Sequence, residues 1–295
     1  MNPQNEVFPN SCIDPFKIKT KALLSTRFQN LNDFKKSVSI QYAETYLQQD
    51  SSLKRPSTVT LKYVSNGEKI TRTLTSGLNQ GDLVNIQKQD YFSKAKFIFR
   101  HPSAVRQRNE LEKMHILSRR RADIFGSKDV AFYDLAETTF RHIHTPDLAY
   151  HTAKDSSEKG FINTFNHVTA QALITSFFSE ELADLIGDMH ERLYMPELTT
   201  GIFKESQLKD SINNPVDNYV DILNNEIGQK LGLKLKTKYG LDEKTICSPS
   251  LLTAYLNDLQ SYYMWALEIG MEPFRETDPV VIKFSKKINS LLETL

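Results

Sequence analysis

Asn214-Pro215-Val216-Asp217-Asn218-Tyr219-Val220-Asp221-Ile222-Leu223-Asn224-Asn225-Glu226-Ile227-Gly228-Gln229-Lys230-Leu231 is the stretch whose reading decides the fold. Asn before Pro signals a helix start, because Asn caps free amides and Pro suits a first helical position that needs no amide hydrogen. Val216, Val220, Leu223, Ile227 and Leu231 then recur every three or four residues, the spacing of one apolar helical face. Asp217, Asp221, Asn224, Asn225 and Gly228 form a second stripe, with Asp221 and Asn225 one turn apart. Two adjacent Asn inside a helix each cost about 0.5 kcal/mol relative to Ala. They point either to polar contacts that fix how helices pack or to a functional site.

Two helices precede it. One runs from about Ile162 to Phe178, with Phe165, Val168, Ala172 and Leu173 apolar and Asn163, His167 and Gln171 in a polar stripe at i, i+4, i+8. An isolated His in such a helix is ordinarily structural, with partners for both ring nitrogens. The other starts at Ser179, an N-cap followed by Glu180 and Glu181 in the dipole-favoured first turn. It contains Gly187-Asp188-Met189-His190-Glu191. Asp184, Asp188 and Glu191 share a face. His190 lies about 200° around an ideal helix from Asp188, so the two cannot face one site unless the helix distorts. Gly187 would ease such a distortion, and Pro196 limits how far the helix runs. Glu191 is the better companion for Asp188.

The expected fold is mainly α: a helical bundle core with a small N-terminal α+β module. Residues 1–92 form that module, 93–232 the helical core, and 233–295 a helical extension packed on it. In the module, Asn66-Gly67 between Thr58–Val64 and Lys69–Thr75 reads as a type I′ β-hairpin, preceded by a helix over about Leu31–Gln49. In the extension, Leu251, Leu252, Tyr255, Leu256 and Leu259 have core spacing, and Asp278-Pro279 opens the last helix.

Composition narrows the function classes. With 39% hydrophobic and 25% charged residues among 295, the chain is an ordinary globular protein and not a disordered, collagen-like or disulfide-scaffold one. A net charge of +1 implies no global electrostatic partner, so nucleic acid is not obligatory. Cys12 and Cys247 are too few for a four-thiolate zinc site. No run approaches the roughly 18 residues of a membrane helix, and the start lacks the basic-then-apolar pattern of a secretory signal. Charge is uneven, however. Ser93–Arg121 holds nine Lys or Arg against two Glu, and Ser179–Glu226 holds eleven acids against three bases. Two solvated or mutually packed faces would produce this; so would a basic wall beside an acidic site.

Together the helices offer His167, Asp188, Glu191, Asp221, Asn224 and Asn225. Such a set is costly to bury unless paired, and is often a metal or acid/base site. Its ligands suit a divalent ion such as Mg²⁺, Mn²⁺ or Zn²⁺, though no spacing is diagnostic. Walker, Gly-x-Ser-x-Gly and His-Glu-x-x-His motifs are absent. The His-x3-Asp-x5-His helix of zinc-dependent phospholipases and nucleases aligns poorly: Asp184 and Tyr194 stand at its His positions.

Four ordered strings carry a resemblance: Arg100-His101-Pro102, Phe165-Asn166-His167, Gly187-Asp188-Met189-His190-Glu191, and Asp221-Ile222-Leu223-Asn224-Asn225-Glu226-Ile227-Gly228-Gln229. Over about residues 97–232 the chain resembles the helical toxin-type domain at the C-termini of bacterial rearrangement-hotspot (RHS, YD-repeat) and other polymorphic toxins. Asn166 stands where that pattern has Arg. The resemblance implies a secreted antibacterial or host-directed effector, delivered without a signal peptide, with an immunity protein and a secretion-system component as partners.

The expected chemistry is hydrolysis of an anionic or envelope substrate. His167 would be base or metal ligand. Asp188 and Glu191 would hold a metal or orient that His, while Asp221, Asn224 and Asn225 position water and substrate. Arg100, His101 and His190 would bind substrate, and the first two would neutralise developing negative charge. The alternatives are a membrane-perturbing effector and a binding module, with the motif as polar packing glue.

Overall fold

Alternating β-branched and polar residues build a small sheet in the N-terminal part of the chain. The computed structural model describes residues 18–44, 57–102, 106–200, 203, 215–242 and 244–292. Strands β1 (Val38–Glu44), β2 (Ser57–Ser65) and β3 (Glu68–Thr75) form an antiparallel sheet in the order β1-β2-β3. Asn66 and Gly67 join β2 to β3 with φ of 48° and 79°, the positive values a type I′ turn needs. Val59, Leu61 and Tyr63 of β2 and Ile70 and Leu74 of β3 point inward and are buried.

The helix expected over Leu31–Gln49 is corrected. Only Leu31–Phe34 is helical, capped by Asn30, and β1 follows. Val38-Ser39-Ile40-Gln41 alternates at period two and pairs with β2 from Val38↔Tyr63 onward, so strand pairing overrides the helical reading. Residues 45–49 lie outside the described residues.

Among the described residues, nine longer helices follow. They are α1 (Gln80–Gln87), α2 (Tyr91–Arg100), α3 (Arg108–Leu117), α4 (Phe132–Arg141), α5 (Asn163–Phe177), α6 (Glu180–Leu193), α7 (Pro215–Tyr239), α8 (Pro249–Leu267) and α9 (Pro279–Leu292). Ser179 caps α6 by accepting from the Leu182 amide, and α6 stops before Pro196. Pro215 is the first residue of α7; its expected cap, Asn214, lies outside the described residues, as does Cys12. The boundary expected at 232 falls inside α7, which continues unbroken to Tyr239. Cys247 is buried as a free thiol.

The fold is mainly α with a small N-terminal sheet, and one hydrophobic core joins the two parts. Val168, Ala172, Leu223, Ile227 and Leu231 lie in it beside Leu61 and Leu74. Helices α5 and α7 approach most closely at Gly228 and Gly232. A Cβ at either position would sit 2.6 Å from a backbone carbonyl of α5, that of Val168 or Ala172 respectively. Only glycine lets the two backbones meet at that distance. This contact sets the register of the polar stripes that the same helices carry.

Candidate functional site

The polar stripes of α5 and α7 face each other rung by rung. Asn163 donates to Asp221 Oδ1 at 2.8 Å and to Asp217 Oδ1 at 3.3 Å. His167 Nδ1 lies 2.9 Å from Asn225 Oδ1, and Gln229 donates to Gln171 Oε1 at 3.1 Å. Four-residue spacing on both helices lets the pairing repeat turn by turn.

Helix α6 closes the ladder. Gly187 brings it near: a Cβ there would lie 3.0 Å from Gln171 Nε2 and 3.3 Å from Asn225 Nδ2. The helix is regular, so Gly187 serves close packing and not a distortion of the helix. Glu191 follows one turn later and is buried. Its Oε1 accepts from Asn225 Nδ2 at 3.3 Å and lies 3.7 Å from His167 Nδ1. On the other side of the ring, His167 Nε2 faces Asp221 Oδ2 at 3.4 Å. His190, exposed to solvent, has its ring 5.9 Å from that of His167.

Three carboxyls therefore converge within the helices, and Lys159 pairs with Asp217 at 2.6 Å. Glu191 and Asp221 are left with His167 as their ion-pairing neighbour among the described residues. Burial, reinforced by Asp221, pushes the Glu191 carboxyl well above its ordinary range; burial and then Asp217 do the same to Asp221. Burial lowers the His167 pKa, against the opposing pull of Asn225. His190 is also lowered, by its crowded inner side first and then by His167. The centre thus favours a neutral imidazole beside neutral carboxylic acids.

Residues 124–257 match a family model described as a domain of unknown function, DUF6973. No curated protein and no solved structure matches the chain. The matched stretch contains His167, His190, Glu191, Asp221 and Asn225. The sheet and helix α2 lie outside it.

Not every expected residue reaches this cluster. Asn224 is adjacent to Asn225, so it points about 100° away. Its side chain grips the backbone of Leu23, accepting from the amide at 3.0 Å and donating to the carbonyl at 2.8 Å. It is packing glue. Asp188 turns away from His167 and binds Arg72 at 2.7 Å and Arg192 at 3.0 Å. As the helix geometry requires, Asp188 and His190 face different ways, and His190 is the one beside His167. Arg100 and His101 end the exposed helix α2, where His101 packs on Phe97 at 4.8 Å between ring centroids. Neither bonds to the cluster among the described residues.

One residue was missed. Arg72 of β3 reaches Asp184 at 2.8 Å, Asp188 at 2.7 Å and Glu226 at 3.3 Å. These four line a shallow cleft between α6 and α7 whose wall also includes Glu191 and Asn225. Burial raises the Glu226 pKa to about 7, outweighing Arg72, while Asp184 and Asp188 push in the same direction. The signal was in the strand alternation: Ile70, Arg72 and Leu74 share the inward face, and an inward charge needs partners.

Proposed function

We propose that the chain is a hydrolase whose reaction centre is the His167–Glu191–Asp221–Asn225 cluster. The observation that carries this reading is a largely buried imidazole held between two buried carboxyls and fixed by one amide. With the Asn225 oxygen accepting from Nδ1–H, Nε2 is the nitrogen that takes a proton, on the side of the ring that Asp221 faces. Asn225 also donates to Glu191, so one amide orients both groups.

In this reading a water at His167 Nε2 gives up its proton as its oxygen attacks the electrophilic centre of the substrate. Glu191, kept protonated by burial, gives its proton to the departing oxygen. Neutral base and neutral acid in one site are what opposed pKa displacements supply. His190 stands where the cluster opens to solvent and contacts the entering group. The four motif strings support an effector or toxin as the setting, with an anionic or envelope substrate, an immunity protein as partner and delivery by a specialised secretion route.

A second reading is favoured by one further distance. Ligand atoms of His167, His190 and Glu191 lie within 4.8 Å of one another. Two imidazoles and a carboxylate are a donor set that suits zinc. A divalent ion there would also compensate the two carboxyls, whose ion-pairing neighbour among the described residues is His167. The metal would activate the water, and Glu191 would be its ligand and not the acid.

Expression in the bacterial cytoplasm and, separately, in the periplasm tests the proposal. Growth arrest in one compartment, abolished by His167→Asn in a folded protein, supports it. Arrest that persists in the variant contradicts it. Activity of purified protein on lipid, peptidoglycan and nucleic acid, with and without EDTA, separates the two chemistries.

A further inference from the structure

Helix α2 turns an apolar face to solvent. Tyr91, Phe92 and Phe99 are 83%, 86% and 92% exposed, and Ala95 and Ile98 are exposed between them. At 100° per residue these five side chains occupy one arc of about 120°. Phe97 is on the opposite side. It anchors α2 to a small second core with Leu78, Met189 and Leu185, the last two from α6. Isolated exposed apolar residues are ordinary, but five on one arc of a ten-residue helix are not.

Charge says what covers this face. Helix α2 contains Lys94, Lys96 and Arg100 and no acid, with Asp90 confined to capping the first turn. On the helical wheel Lys94 borders the apolar arc on one side and Lys96 on the other. That arrangement sinks rings between acyl chains while flanking ammonium groups rise to the headgroups. Tyr91, Phe92 and Phe99 are each almost fully exposed, so no groove among the described residues holds them. Ten residues are too few to cross a bilayer.

We propose that α2 docks the protein flat onto an anionic lipid surface, with Phe92 and Phe99 as inserting anchors and Lys94 and Lys96 as headgroup contacts. Because Phe97 joins α2 to Met189 and Leu185 of α6, docking would fix how α6 is oriented relative to that surface. The proposal does not depend on the hydrolase reading, because binding is measured without turnover.

The test is co-sedimentation of the full chain with vesicles of phosphatidylcholine alone and of phosphatidylglycerol mixed equally with phosphatidylcholine. The expected result is binding to the mixed vesicles and at least tenfold weaker binding to phosphatidylcholine. The Phe92→Asp, Phe99→Asp double variant, with an unchanged thermal melt because both rings are exposed, should lose at least tenfold on the mixed vesicles. Lys94→Glu with Lys96→Glu should lose the preference for phosphatidylglycerol. Failure of the wild-type chain to sediment with mixed vesicles overturns the proposal, as does equal binding by the double phenylalanine variant. A stable dimer that the phenylalanine variant abolishes would also overturn it, assigning the face to a second copy.

Discussion

The side-chain oxygen of Asn225 lies 2.9 Å from Nδ1 of His167, while the neighbouring Asn224 turns its amide to the backbone of Leu23. Two adjacent, chemically identical residues thus have separate tasks. Asn225→Ala should lower activity by about 10²-fold through loss of imidazole orientation, the usual range for a general base. Asn224→Ala should leave activity per folded molecule unchanged and cost about 1–3 kcal/mol, because it strands buried backbone groups. Denaturant titration alongside the growth assay distinguishes the two.

Gly228→Ala should destabilise the protein although Ala is the better helix former. Propensity favours Ala by about 1 kcal/mol. The added Cβ, however, would sit 2.6 Å from the Val168 carbonyl and 2.8 Å from the Gln171 Cβ, neither of which can yield without moving α5. Overpacking of this kind costs about 1–3 kcal/mol, enough to offset the propensity gain. A melting temperature at or above that of the wild type would contradict this packing account.

The Glu191 carboxyl gives a pH dependence of defined sign. Its folded pKa is raised by burial and then by Asp221. Below the ordinary value of 4.5 it is protonated in both states and adds no pH dependence. Above 4.5 the unfolded chain ionises first, so folding stability falls as pH rises toward the folded pKa. Glu191→Gln imitates the protonated form. It should raise the melting temperature at pH 7 to 8, leave it unchanged at pH 4, and abolish activity throughout. A residue that served only packing would give no such opposition of stability and activity.

Arg72→Leu should destabilise the protein by about 2 kcal/mol, less than the 3–5 of a fully buried pair because Arg72 and its partners keep some solvent contact. It leaves Asp184, Asp188 and Glu226 without their shared cation. The loss should shrink between pH 7 and pH 5, as Glu226, with a pKa near 7, takes up a proton. Melts at the two pH values check this.

Much of the helical architecture was legible because apolar spacing, the Ser179 cap and the Pro residues at 215 and 279 act locally. The two polar stripes were legible too, since four-residue spacing puts Asn163 with His167 and Asp221 with Asn225 on one face each; which residue meets which came only from the packing. Asp188 and Asn224 do not reach His167, for one physical reason. A motif string lists residues in sequence, whereas a helix separates neighbours by 100°. Besides Arg192 one turn away, Asp188 binds Arg72 on a strand 116 positions away, and no local pattern reports a contact of that range. The first β-strand was hidden because Leu31–Phe34 does start as helix and pairing with β2 then takes over.

The central claim is that His167 carries the reaction, and growth inhibition by His167→Asn, scored with the melting temperature of the same protein, tests it most directly. The account predicts a loss of at least about 10²-fold in toxicity with a melting temperature within a few degrees of wild type. A folded variant as toxic as the wild type would contradict it.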